Sequence, residues 1–271
     1  MPSREVYPNA PLRLVTTEFR FPLSPVLAGA NALHVVAGAL GKMLPVIERV
    51  PQSVQVVLGP EGPPALPTVD GGGYRLMTRD RTVAVTVTSA RLAVEITSYR
   101  HWETFRDEMI RPVLGAVGED LQAIAGLDRI GLRYIDEIRV PDEALSIERW
   151  VPYINDNLLA GRHLAGKRPI KTIQGALHLV TGEDQELLMR FGALEGHVVD
   201  DSGPLRLPTP VEDGPFFLID IDSFWTRSGV VEEFAVDRAL AVADRLHEPV
   251  GELFEQSITE LLRDEVLRRS Q

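Results

Sequence analysis

The sequence predicts an α+β protein built from a duplicated β-α-β(3–4)-α unit, an antiparallel sheet with long helices on one face. Three observations predict it. Stretches with apolar residues at every second position alternate with stretches of helical spacing. Their order runs strand, helix, several strands, helix, and then repeats. The ending of the first strand, Glu18-Phe19-Arg20-Phe21-Pro22, recurs mid-chain as Glu137-Ile138-Arg139-Val140-Pro141. Residues 1–126 and 127–271 are therefore expected to be two units sharing one continuous sheet, with the helices of both segregated to one side.

Each element has a local reason. Tyr7-Pro8-Asn9-Ala10-Pro11 is an extended lead-in, because residues before proline avoid the helical region. Leu12 to Phe21 follows as a strand that Pro22 and Pro25 stop. Val26 to Leu44 carries Leu27, Ala30, Leu33, Val36, Ala37 and Leu40 at helical spacing. Val54 to Leu58 is a short apolar run, and Gly59 to Gly73 is a Pro/Gly-rich loop. Tyr74–Arg79, Thr82–Thr88 and Leu92–Thr97 read as three strands joined by hairpin turns, with Val83, Val85 and Val87 on one face. Trp102, Phe105, Met109, Val113, Val117, Leu121 and Ile124 stripe a helix from about residue 100 to 124, kinked near Pro112.

The second unit opens at Asp128 to Pro141, where Ile130, Leu132, Tyr134, Ile138 and Val140 share a face that Asp136 interrupts. Asp142 to Leu159 has helical character, broken at Pro152. Ile170–Val180 and Glu186–Leu194 read as strands joined at Gly182-Glu183-Asp184. A proline-rich loop spans 203–215, and Phe216 to Trp225 is a strand that buries Phe217, Ile219 and Ile221. Val231–Arg245 and Pro249–Arg269 read as two helices parted at His247-Glu248-Pro249.

Composition narrows the function. The 271 residues are 44% hydrophobic and 25% charged, as in ordinary soluble domains. The absence of cysteine excludes disulfides, thiolate zinc sites and cysteine nucleophiles. A net charge of -11 argues against a nucleic-acid partner, which needs a basic face. The N-terminus has no apolar h-region, and the most apolar window, Val26 to Leu44, is too short and too interrupted by Asn31, His34 and Lys42 to span a bilayer. A cytoplasmic protein with no membrane partner is expected.

Phosphate loops, nucleophile elbows, HExxH and EF-hand patterns are absent, so no catalytic residue, metal site or cofactor is assigned. Gly71-Gly72-Gly73 lacks the Lys and Ser/Thr of a P-loop. Asp220 and Asp222 share a strand face, as ion ligands or as a solvated surface would. His163, His178 and His197 have no ligand-like spacing. Asp136 is sharper, since a carboxylate on an apolar face needs a partner or a proton. Its counterpart in the first unit is Thr17. Asp136, Tyr134, Thr17 and Trp102 are the candidate ligand-binding residues, set between sheet and helix, with a structural hydrogen-bond anchor as the alternative for Asp136.

A β-α-β4-α unit in two copies resembles the duplicated fold of TATA-binding proteins, and one unit resembles the helix-grip fold of the START and birch-pollen-allergen group. These likenesses imply fold and no function. Several separated stretches together resemble a sporadically distributed bacterial protein family of unassigned function. They are Tyr7 to Leu12, Tyr99-Arg100-His101-Trp102-Glu103-Thr104-Phe105, Arg129-Ile130-Gly131-Leu132-Arg133-Tyr134-Ile135, Phe217 to Asp222, Leu246-His247 and Phe254 to Thr259. The family pattern usually has Asn where this chain has Asp136. The resemblance implies a gene of mobile or strain-specific loci and carries over no catalytic residues.

The expected function is a non-enzymatic interaction or regulatory protein with a protein partner. The alternatives are a carrier or sensor of an apolar small molecule held between sheet and helix, and an enzyme using Asp136, Asp220 or Asp222. One expectation concerns register. If the two opening strands pair antiparallel about a pseudo-two-fold axis, Phe19 should face Ile138, Glu18 should face Arg139 and Arg20 should face Glu137.

Overall fold

The computed structural model describes residues 5–51, 53–55, 68–70, 72–141, 147–199, 203–211, 213–227 and 231–269. Their strands are β1 (Leu12–Arg20), β2 (Val46–Val50), β3 (Ser53–Gln55), β4 (Thr68–Asp70), β5 (Gly73–Met77), β6 (Val83–Val87), β7 (Arg91–Ile96), β8 (Gly126–Leu127), β9 (Arg129–Ile138), β10 (Gln174–Gly182), β11 (Gln185–Gly196), β12 (Gly214–Thr226) and β13 (Glu232–Glu233). The longer helices are α1 (Ala30–Leu40), α2 (residues 102–120), α3 (Val236–Ser257) and α4 (residues 260–267), with a single helical turn at Arg162–Ala165.

Nine strands form one antiparallel sheet in the order β10-β11-β12-β9-β1-β7-β6-β5-β2. The expected neighbours β1 and β9 meet at its centre. Paired residues Phe19 and Ile130, Val15 and Tyr134, and Ile138 and Phe217 share one face. They join one core with Val36 and Leu40 of α1, Val113 and Val117 of α2, and Leu240, Leu246 and Val250 of α3. Burying each such side chain contributes about 1.5–3 kcal/mol. On the opposite face a smaller apolar cluster gathers Met77, Ala84 and Leu205 with Leu14 and Val46. There the backbone near Arg206 crosses the sheet, accepting from Thr97 Oγ1 at 2.6 Å and donating to the carbonyl of Arg81 at 2.8 Å.

The register differs from expectation. Phe19 lies opposite Ile130 instead of Ile138, and Arg20 opposite Arg129 instead of Glu137. The slip is even, so every side chain keeps its face. The expected register would run β1 past the end of β9. The observed one aligns the two strands along most of their length, with a bulge between Leu12 and Leu14. That longer ladder outweighs two cross-strand charge pairs worth roughly 0.2–1 kcal/mol each. Nor do the charges go unmatched, since Glu18 meets Arg20, Arg91 and Arg129, while Glu137 accepts from Arg139 and from the backbone N–H of Val198.

The helices correct three further expectations. The break expected at Pro249 is absent, because α3 runs through it for 22 residues. Its buried stripe of Val236, Leu240, Ala243, Leu246 and Val250 offsets the roughly 3 kcal/mol that an interior proline costs. The chain turns instead at Ile258, and Thr259 starts α4 by accepting from the Leu262 N–H. α2 is not a uniform helix. It widens at residues 106–110, where the Arg111 N–H reaches the carbonyl of Arg106 five residues back, and again at 115–120. The first widening immediately precedes Pro112, whose ring would otherwise crowd the preceding turn. Between Asp142 and Leu159 the described residues form two short 3-10 turns, Ile147–Trp150 and Asp156–Leu159, and a bridge from Ile154 to Ile258, in place of a helix. Residues 142–146, most of the 59–73 loop and most of the Val54–Leu58 run lie outside the described residues.

Candidate functional site

Of the four predicted ligand-binding residues, Thr17, Tyr134 and Asp136 lie on the helix-covered face of β1 and β9 and Trp102 opens α2; Tyr134 and Trp102 are joined through His247. Tyr134 projects from β9 toward the seam between α2 and α3. Its hydroxyl lies 2.9 Å from His247 Nδ1 on α3 and 3.2 Å from the Tyr99 hydroxyl. Trp102, the first residue of α2, stacks on His247 with ring centroids 4.8 Å apart and planes 12° from parallel. Its indole N–H donates to Asp244 at 2.7 Å, and Arg106 donates to the same carboxylate at 3.0 Å. Hydrogen bonds to Asp107 and Asp244 hold Arg106 more basic than usual. This cluster locks sheet, α2 and α3 together. It joins stretches far apart in the sequence: Tyr99-Arg100-His101-Trp102, Arg133-Tyr134 and Leu246-His247.

Thr17 and Asp136 stand apart from it. Thr17 is fully buried opposite Leu132, and its hydroxyl has no hydrogen-bond partner among the described residues. Asp136 is buried beside Ile219 of β12. Burial pushes its carboxyl up to about 8, with Asp220 adding to the rise and Arg13 opposing it. Burial thus favours the neutral acid over the carboxylate at this position.

Neither of the two hollows among the described residues is lined by these four side chains. One of them, lined by Leu127, Ile130, Trp225, Ala239 and Val242, has a volume of about 10 Å³. That is room for one water, whereas small-molecule sites occupy roughly 300–1,000 Å³. The three carboxylates weighed for catalysis do not converge. Asp136 lies under the helices, while Asp220 and Asp222 lie on the other face of the sheet.

That other face carries a feature that alternation along single strands hides. Glu18 and Arg20 of β1, Arg91 and Glu95 of β7, Arg129 and Arg133 of β9, Asp220 and Asp222 of β12 and Arg190 of β11 form one charged field across neighbouring strands. Arg133 grips Asp220 with both arms, Nε at 2.7 Å and Nη2 at 2.8 Å, and Arg190 reaches the same carboxylate at 3.5 Å. Arg129 bridges Glu18 at 3.4 Å and Asp222 at 3.3 Å while its guanidinium lies over the Phe224 ring. Burial raises the Asp222 carboxyl, against the pull of Arg129 and Arg133. Burial also works to raise Glu18, but Arg20, Arg91 and Arg129 together hold it below the usual carboxylate range. The Asp220 side chain is 4% exposed, whereas those of Arg133, Arg190 and Arg20 are 45%, 49% and 45% exposed. Asp220 thus forms a floor with Arg133 and Arg190 at its rim, and no described helix covers them.

His163, His178 and His197 pair singly with Asp156, Glu186 and Asp213. No metal-binding group of three His, Asp or Glu side chains occurs among the described residues. No described helix is long and apolar enough to cross a membrane. No family model matches the chain, and no curated protein matches it significantly.

Proposed function

We propose that the chain is a non-enzymatic interaction or regulatory protein that offers the helix-free face of its sheet to a protein partner. The observation that carries this reading is the charged field itself, in which the buried carboxylate of Asp220 fixes the half-exposed Arg133 and Arg190. Such arginines are held in place with little rotamer freedom left to lose on binding, and they suit carboxylates of a partner surface. Partner choice would then rest on charge complementarity.

The fold reading behind this is a duplication, one unit over 1–126 and the other over 127–271. Strand order supports it. Moving out from the centre of the nine-stranded sheet, β1 is followed by β7, β6 and β5, and β9 by β12, β11 and β10, in each half the later strands of that sheet first. Val15 faces Tyr134, the residue that aligning Glu18 with Glu137 makes its counterpart. A two-fold axis between the units requires such a self-pairing. The family resemblance adds the setting, a cytoplasmic protein of a mobile or strain-specific bacterial locus.

The test is affinity capture from the bacterial host. Arg20→Ala with Arg190→Ala removes two half-exposed guanidiniums and leaves Arg133 to hold Asp220. This variant should lose the partner at least tenfold, while Lys42→Ala, beyond the end of α1, should retain it. Equal recovery by both variants would show that the charged face is not the binding surface.

A further inference from the structure

The two edges of the sheet differ in kind. β2, at one edge, is five residues long, carries Glu48 and Arg49, and is flanked by Pro45 and Pro51. Those features discourage a further strand. β10, at the other edge, is nine residues long, Gln174-Gly-Ala-Leu-His-Leu-Val-Thr-Gly182, with no proline and no acidic or basic residue except His178. It is exposed almost throughout, with Val180 at 83% and Leu177 and Leu179 at about 40%. An edge of that length with apolar side chains on both faces is a template for strand pairing.

The sequence of β10 also says what fits it. An antiparallel pair related by a two-fold axis places one residue opposite its own copy. With His178 on that axis, Leu177 faces Leu179 of the second copy on the helix side of the sheet, and Ala176 faces Val180 on the other. Every apolar residue of the strand then meets an apolar residue. Gln174 meets Gly182, and His178, which pairs with Glu186 of its own chain, meets its own copy. We infer that two copies of the chain join edge to edge through β10, in antiparallel register about His178, so that their sheets continue as one. This goes beyond the reading of the charged face, which such a pairing would leave open and present twice.

Sedimentation velocity across the micromolar range tests it. The full chain should sediment as a dimer of twice 30.0 kDa. Leu177→Lys with Val180→Lys should raise the dimer dissociation constant at least tenfold while leaving circular dichroism and the melting profile unchanged. Val180→Lys alone, at the most exposed of these positions, repeats the measurement should the pair disturb folding. Because the chain has no cysteine, register can be read directly. His178→Cys should form an intermolecular disulfide on oxidation, its Cα atoms lying about 4.5–5.5 Å apart. Gly182→Cys should not, as its two copies would lie on the order of 27 Å apart. A monomer throughout the range, including one that captures an extended foreign peptide at this edge, overturns the inference. So does a dimer indifferent to the lysines, or one that cross-links as readily through Gly182→Cys as through His178→Cys.

Discussion

At the scale of single residues, Asp136 makes the clearest prediction. Its carboxyl, raised from 3.8 to about 8, keeps in the folded chain a proton that the unfolded chain releases. Stability contributed by this site therefore falls as pH rises from about 4 to about 8 and is regained on acidification, at roughly 1.4 kcal/mol per pH unit at most. Asp136→Asn, which supplies a neutral side chain of the same shape, should remove that slope. It should also stabilise the protein at pH 7 by on the order of a few kcal/mol. Urea melts of both forms at pH 5 and pH 8 check it, and parallel pH profiles would refute the buried-acid account. The Tyr134 hydroxyl carries a second prediction. Tyr134→Phe removes the partner shared by Tyr99 and His247 and should cost about 1–2 kcal/mol, non-additively with His247→Ala. The candidate residues were legible in part. Asp136 announces itself by interrupting an apolar face, but nothing local ties Tyr134 to a histidine at position 247. The charged field was less legible still. Asp220 and Asp222 read as one strand's solvated face, and only the pairing of β12 with β9 and β11 brings Arg133 and Arg190 to them.

At the scale of elements, the sequence revealed what repeats within a segment and hid what depends on a neighbour. Val83, Val85 and Val87 alternate because every second residue of β6 faces the helix-covered core, and that alternation alone marks the segment as a strand. Val46–Val50 escaped notice because this edge strand puts Glu48 and Arg49 in the middle of its apolar residues. Register was hidden for a different reason. Even slips preserve faces, so the pattern allows many registers and strand overlap selects among them. Pro249 misled because local propensity is overridden where a helix buries a continuous stripe. That override can be measured. Pro249→Ala restores a donor toward the carbonyl of Arg245 and should stabilise the chain by about 1–3 kcal/mol. A melting point at or below that of the parent would mean that the helix bends at Pro249 in a way its packing requires. Gly118 gives the converse case at the seam of α2 with the segment before α3. A Cβ there would lie 1.9 Å from the Phe234 ring, so Gly118→Ala should cost about 1–3 kcal/mol by overpacking.

At the scale of the molecule, the question is whether the two halves stand or fall together. Three independent ties argue that they do. The first is the β1–β9 ladder, which makes the two sheets one and leaves neither opening strand as an edge. The second joins the helices: Trp102 and Arg106 of α2 bond Asp244 of α3, and Arg111 bonds Asp237 at 2.8 Å. The third runs between the two ends of the chain. The Tyr7 hydroxyl donates to Glu255 at 3.0 Å, Arg263 holds the same carboxylate at 2.9 Å, and the Asn9 N–H reaches the carbonyl of Leu267 at 3.0 Å. A segment before β1 is thus fastened to helices after β12. Opening either half would expose the central ladder and much of the shared core, so partial unfolding should lie close in free energy to global unfolding. Ile219→Ala tests this from one side. Ile219 is fully buried on β12, and the truncation should cost about 2–5 kcal/mol. If the halves form one cooperative unit, the slowest amides of β6 and β7, in the other half, should lose the same protection in native-state hydrogen exchange as those of β11 and β12. If β6 and β7 keep their protection while β11 and β12 lose theirs, the central ladder joins two bodies that unfold separately.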